Sequence, residues 1–594
     1  MKNILKAFAA GILVLSVVSC EEFLNRPTED NYNVDNFYQT DEQCEQGVNY
    51  LYNSPWYDFQ RGFIKIGEVM SGNMYWGSSP YLQFTTNGTD EDLVNMSYSL
   101  WAVNGHANTV INNIVGASGP SKEAKRQYIG EALIWKAFAY FFMVRTFGAV
   151  PIIHDNTTLL NSGEYNTVDK VVRENVYEYI IYTIETALDL LPKQTSGWNR
   201  RIDYYAAEAL LAKVYLTRAG LSGSLSSGDL AKAKELAKDV IDNSGRALTP
   251  DYEDVFRLSP DVYNKTGESL ISWQWKCGRD PWTQQNTLQS DLAMVGFDEN
   301  GDCWGGWGGP SVDLADAFGV DVLDDPMDRL SSETDVRRRA SMMMPGDEYD
   351  YFWTDKGGFD YLRFIYDTDY GKGGPGGSMQ CPTGTNNVKH LYGDNADHVA
   401  ATGVTPQVMA NQLPTHLIRL SDVYLIYAEA CLLTSDPGTA TTFVNKVRER
   451  AGAEPYETDV DFEDIWLERR LELAGEGDRW YDYVRRSYYE MDECIAELKA
   501  QRRSAYNGLD DLYKAYFESG DDYASRVWDK NGKYSAAVTY NSTDYDNPNV
   551  TASSFTLPFP TEDVTFNGKM ASTATPVTVE DIRATYPYDF SNLQ

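Results

Sequence analysis

The residues in this sequence best suited to chemistry are aromatic rings set in glycine- and serine-rich stretches. Tyr75, Trp76 and Tyr81 fall within the polar segment 72–92, while Trp304 and Trp307 belong to the glycine-dense GDCWGGWGGP at 301–310. Trp282 precedes that run, and Tyr349, Tyr351 and Trp353 follow it. A pyranose ring has a flat C–H face that gains contact and releases water when it lies on an aromatic ring, while nearby amides and carboxylates serve its hydroxyls. Loop placement matters because a ring there has fewer helical neighbours to pack on, and loops on a rigid scaffold commonly carry binding residues. Trp76 and Trp304, with Tyr75 or Trp282 nearby, are therefore read as an aromatic platform for sugar rings, and Tyr81 and Trp353 as further candidates. The competing explanation for each ring is packing, since Trp and Tyr are usually largely buried with their polar tip satisfied. Trp307 is the least secure, because a ring inside a GWG element can simply brace its loop. Trp101, Trp135, Trp466 and Trp480 sit in helical patterns and are assigned to the core.

Other chemistry is weaker. Asp298, Asn300 and Asp302 alternate like the opening of a calcium loop, but Cys303 stands at the glycine position and Gly309 at the closing glutamate, so a solvated acidic turn is the reading. No metal and no cofactor is expected. Arg337, Arg338 and Arg339 could meet an acidic sugar, yet pairing within so acidic a chain is the commoner outcome. Paired carboxylates hydrolyse glycosides, and 87 acidic residues will form pairs by chance. No GxSxG, HExxH or P-loop pattern is present, and the five histidines, His106, His154, His390, His398 and His416, are scattered. Catalysis, as a secreted glycoside hydrolase, is the weaker hypothesis.

Those loops need a scaffold, and the sequence supplies a helical one. In residues 128–151 Leu133, Ala137, Tyr140, Val144 and Phe147 keep helical spacing, while Trp135, Phe138, Phe141 and Phe142 fill most of the remaining circumference. A helix apolar all round is the middle of a core; Lys136 and Arg145 interrupt the apolar run that a bilayer span requires. Gly148 and Pro151 end the helix. With 171–191 it makes one antiparallel hairpin; 204–220 with 229–243 make a second, and 416–433 with 439–452 a third. Ala207, Ala212, Ala233, Ala237, Ala428 and Ala430 mark close helix approaches, in the manner of tetratricopeptide repeats with irregular spacing. Helices are also expected at 41–51, at 93–115 and over 463–486, the last broken near Gly475–Gly477. Residues 272–275 alternate like a short strand, whereas 246–415 and 506–594 are loop-rich. The expected fold is mainly α: tetratricopeptide-like hairpins in an α–α superhelix, with a large loop-rich half.

Composition bounds the partners. A net charge of −36 argues against nucleic acid and against charge-driven docking on an anionic membrane. Residues 1–19 read as a leader, with Lys2 and Lys6 before an apolar stretch too short to span a bilayer. It ends in VVSC, like a lipoprotein cleavage box, which makes Cys20 the expected lipid attachment site and the folded body a tethered one. The remaining cysteines, Cys44, Cys277, Cys303, Cys381, Cys431 and Cys494, show no CxxC or metal spacing. The chain divides into the leader, a first helical region at 20–245, and a second region at 246–594 that carries the loop-rich insertion.

These pieces together resemble the SusD/RagB family of outer-membrane nutrient-binding lipoproteins. The resemblance rests on Cys20 with the following EEFL, the helix from Gly130-Glu131-Ala132 to FGAVPII, AAEALLAKVYL, Gly306-Trp307-Gly308 with DLADAF, and Asp335-Val336-Arg337-Arg338. IRLSDVYLIYAEA, VNKVRERAG and ERRLELAGEGDRWYDYVR complete it, so it covers nearly the whole chain beyond the leader. It implies tetratricopeptide-like helices against a loop-rich half. It also implies a lipid-anchored protein facing the cell exterior, which captures oligosaccharides, or in some members peptides, as a lid over a SusC-like TonB-dependent transporter. Gly475 departs from the bulky residue expected there. The family has no fixed ligand motif, so no binding residue is carried over.

Overall fold

A computed structural model describes residues 37–260, 265–277, 285–298, 301–370, 375–407 and 409–593; the leader, Cys20 and Trp282 lie outside them. Thr40 opens the helical frame: its hydroxyl accepts the Gln43 N–H and caps α1 (Asp41–Asn49). Asp90 caps α2 (Glu91–Gly116) and Ser121 caps α3 (Lys122–Phe147) in the same way. From Ile129 to Phe147 every side chain of α3 is buried, as an all-round apolar helix demands. Gly148 ends it with φ +73° and donates its N–H to the Val144 carbonyl at 3.1 Å.

The expected hairpins form. α2 and α4 (Arg173–Leu188) flank α3, and α4 also packs on α5 (Tyr204–Arg218). α5 pairs with α6 (Ser227–Asn243), which packs in turn on α7 (Leu420–Leu433), the partner of α8 (Pro437–Arg450). Ala207, Ala212, Ala233, Ala237, Ala428 and Ala430 are all fully buried, which is what lets these helices approach closely. The last helical stretch is indeed broken, into α9 (Phe462–Glu472) and α10 (Arg479–Ser487). Gly475 lies in the break at φ +82°, a left-handed conformation that disfavours the bulky residue expected there.

Among the described residues the strands are short and antiparallel. β1 (Met74–Tyr75), β2 (Ser269–Trp273), β3 (Gly309–Pro310) and β4 (Thr415–Arg419) matter most, with β1 paired to β3 and β2 to β4. β4 corrects one expectation: residues 416–419 are strand, and the helix begins only at Leu420. The β2–β4 ladder ties the loop-rich half to the helices and places Trp273 in the core against Trp56 (5.4 Å between rings), which in turn meets Trp135 at 5.5 Å. The chain's end returns to the start: the Leu557 N–H donates to the Thr146 carbonyl at 2.8 Å, and Phe559 stacks on Phe147.

Buried ion pairs lock the two halves. Arg419 reaches Glu268 at 2.9 Å and Glu476 at 2.7 Å, and Lys389 meets Glu476 at 2.8 Å. These cations hold the Glu476 carboxyl far below the usual range despite its burial. Arg337 is buried with Asp335 and Glu468, and Arg338 with Glu333 and Asp347, so the arginine run pairs internally. The six described cysteines are all unbonded.

Candidate ligand-binding site

The β1–β3 register sets Tyr75 opposite Gly309 and so brings the next residue, Trp76, alongside Gly308. Alternation along a strand turns Tyr75 and Trp76 to opposite sides. Trp76 lies so close over Gly308 that a Cβ there would stand 2.4 Å from the indole, which gives the glycine its reason. The Lys65 ammonium lies 5.7 Å from the Trp76 ring centroid, within cation–π range. Lys65 opens a π-helical turn (Lys65–Met70) and is itself paired with Asp92 at the start of α2.

Trp304 arrives from the glycine-rich loop. Its backbone N–H donates to the Ser290 carbonyl at 3.0 Å, and its indole N–H donates to Asp291 Oδ1 at 2.9 Å. Asp291, on the short helix Leu288–Leu292, also pairs with Arg61 at 3.3 Å. The Asp291 charge raises the Arg61 pKa above its ordinary value, so the guanidinium stays charged. Trp76 and Trp304 thus line one cleft of about 200 Å³, with Arg61, Lys65, Asp291 and Leu292 among its other walls. Trp304 is 40% exposed, and Trp307, one turn further along the loop, is 66% exposed. Trp307 is therefore no brace: its ring stands in solvent.

Three sequence candidates are corrected. Tyr81 is fully buried, and its hydroxyl donates to the Asp90 carboxylate that caps α2. Trp353 is buried among Phe297, Phe359 and Phe364, with its indole N–H donated to the Phe297 carbonyl at 3.0 Å. Tyr75 is buried beside Tyr545, and burial pushes its phenol up to about 12. No face of these rings is open to a ligand. Tyr349 is likewise buried, and half-buried Tyr351 donates to Glu253 at 3.0 Å under a stacked Arg257. Trp135, Trp466 and Trp480 are core as expected, whereas Trp101 is only half-buried.

Sequence reasoning missed Arg61, Lys65 and Asp291. Charged residues on short helical turns carry no periodic signal, and tertiary contacts alone bring them to the rings. The Asp298 segment forms a turn in which Asp298 Oδ1 accepts the N–H groups of Gly301 and Asp302. No cluster of His, Cys, Asp and Glu suited to a metal occurs among the described residues.

Comparison with known proteins adds to this geometry. A family model described as "SusD family" matches residues 278–575, and one described as "Starch-binding associating with outer membrane" matches 2–216. A SusD-like protein of Bacteroides ovatus is 33% identical over 515 residues, covering 85% of this chain and 86% of its own length. A SusD-like protein of Formosa agariphila is 25% identical over 503 residues, covering 80% of this chain and 89% of its own. A crystal structure containing xylogluco-oligosaccharide superposes with TM-score 0.73 at 30% identity, covering 90% of this chain and 99% of the other. A laminarin-binding SusD-like protein shares the fold, with TM-score 0.59, 20% identity and coverage of 89% and 98%.

Proposed function

The chain belongs to the SusD family, and from that footing we propose that it captures oligosaccharides at the outer cell surface and passes them to a SusC-like TonB-dependent transporter. Cys20 is the proposed lipid attachment point, and the body faces the cell exterior. The observation that carries the reading is the convergence of Trp76 and Trp304 on one cleft. Trp304 is held by its bond to Asp291, and Trp76 by its contact with Gly308 and its packing on the edge of the core. A preorganised pair of rings, one exposed and one partly exposed, suits a flat, neutral sugar, because stacking needs no rearrangement of the protein. The crystal structure with xylogluco-oligosaccharide at 30% identity makes that glycan class the first ligand to try.

Binding without turnover is part of the proposal. Asp291 is tied to Trp304 and Arg61, and Asp92 to Lys65, so the carboxylates nearest the rings hold the platform in place. The test is a glycan and peptide array probed with soluble protein starting at Glu21, followed by product analysis after long incubation. Recovery of bound xylogluco-oligosaccharide intact supports capture. Shortened products would mean a hydrolase, and binding confined to extended peptides would mean peptide capture. For the anchor, Cys20→Ala should release the protein from the membrane fraction; unchanged retention would contradict it.

A further inference from the structure

A second aromatic groove lies on the helical half and shares no lining residue with the Trp76–Trp304 cleft. It encloses about 390 Å³ between α2, the short helix Asn156–Ser162 and the C-terminal helix Thr561–Phe566. Tyr98, Tyr165 and Phe566 line it and are 66%, 44% and 60% exposed. Soluble proteins seldom gather so many large exposed rings in one place without a partner for them. Trp101, half-buried on α2 one turn from Tyr98, adds a further ring to the wall.

The chemistry of the groove selects its occupant. Tyr165 and Phe566 lie 6.0 Å apart with their planes 32° from parallel, a pair of exposed rings within reach of one sugar chain. Asn104, Asn156 and Glu562 add amide and carboxylate oxygens to the walls. Asn104 is 1% exposed; its amide donates to the Ile153 carbonyl at 3.1 Å, while its Oδ1 has no hydrogen-bond partner among the described residues. A buried acceptor left unpaired beside a groove is costly unless something polar enters. No lysine or arginine lines the groove, and its charged members are the carboxylates of Glu562 and Asp563, so an anionic ligand is disfavoured. We propose that this groove is a second, independent binding site for a neutral oligosaccharide, built from Tyr98, Trp101, Tyr165 and Phe566 on the helical half of the fold. Two sites on one chain would let a long polysaccharide be held at two points, raising avidity without tighter contact at either.

The experiment is calorimetric titration with xylogluco-, cello- and laminari-oligosaccharides on the wild type, on Trp76→Ala/Trp304→Ala, and on Tyr165→Ala/Phe566→Ala. The first variant should retain a saturable binding event, weakened roughly tenfold or more when the second pair of substitutions is added. The groove pair is largely exposed, so those substitutions should leave the melting temperature unchanged. If Trp76→Ala/Trp304→Ala melts early, stoichiometry carries the same test: two ligands per wild-type chain against one for the groove variant. The proposal is overturned if the platform variant binds nothing on an intact fold, if its residual binding ignores the groove substitutions, or if the wild type takes up a single ligand. The platform reading fails separately, when wild type and platform variant bind alike.

Discussion

Gly308→Ala tests the platform without altering any group that would touch a sugar. A Cβ at that position would lie 2.4 Å, 2.7 Å and 2.9 Å from the Trp76 ring carbons Cε3, Cζ3 and Cδ2. Carbon atoms settle about 3.5 to 4.0 Å apart, so the indole must retreat by roughly 1 Å or more. Gly308 is absent from the residues with positive φ, so alanine brings no backbone strain, and the effect falls on the ring. Displacing Trp76 removes one stacking face, a loss of roughly 0.5 to 1.5 kcal/mol beyond the area term. Affinity for xylogluco-oligosaccharide should therefore drop about tenfold, because 1.4 kcal/mol is a factor of ten. The assay is a double-mutant cycle by calorimetry, with Gly308→Ala, Trp76→Ala and both together. If the glycine acts through the ring, Gly308→Ala costs nothing further in the Trp76→Ala background. Equal losses in both backgrounds would refute the reasoning, as would unchanged affinity in the single variant.

Other expectations concern the frame. Trp135→Ala, in the middle of α3, should cost about 3 to 5 kcal/mol by denaturant unfolding, as large aromatic truncations in cores do; a loss below about 1 kcal/mol would mean the core is misplaced. Arg419→Ala leaves Glu268 and Glu472 to Arg450, and Glu476 to Lys389, and by removing the cation the three buried carboxylates share should cost about 3 to 5 kcal/mol, whereas Arg583→Ala, at an exposed pair with Glu185, should cost under about 1 kcal/mol. Burial lowers His154 to about 3 and both His390 and His416 to about 4, so the unfolded chain takes up protons below its ordinary histidine range before the folded chain does. The stability these neutral rings contribute is complete above about pH 6.5 and lost as pH falls toward 4, each group adding a slope of about 1.4 kcal/mol per pH unit. A melting temperature flat from pH 7 to pH 4.5 would contradict this.

The scaffold was legible because long helices repeat their pattern. Residues 128–147, 204–218 and 420–433 carry apolar side chains at helical spacing, with alanines where neighbours come close, and the hairpins follow. The strand at 415–419 was not legible: His416 to Leu433 is mostly apolar and has no Gly or Pro to mark a boundary, so periodicity could not separate a strand from the helix it feeds. The candidate site was legible only in part. Residue type and loop context marked Trp76 and Trp304, yet marked Tyr81 and Trp353 equally. What distinguishes them is tertiary: Asp90 binds the Tyr81 hydroxyl, and a cage of phenylalanines closes over Trp353. The brace suspected in Trp307 failed for the converse reason. The loop is held instead by Trp304 on Ser290 and Asp291, leaving Trp307 outside. Buried arginines such as Arg337 and Arg419 look like surface charge in the sequence, since partners that bury them, Glu468 for Arg337 and Glu268 and Glu476 for Arg419, lie far away along the chain.

Affinity of Trp304→Ala and Trp76→Ala for xylogluco-oligosaccharide, measured beside thermal unfolding of the same samples, bears most directly on the central claim. The account predicts binding weakened about tenfold in each variant, with melting close to wild type because both rings are partly exposed. Unchanged affinity on an intact fold would place capture elsewhere on the molecule, and collapse of the fold would show that the two rings are core after all.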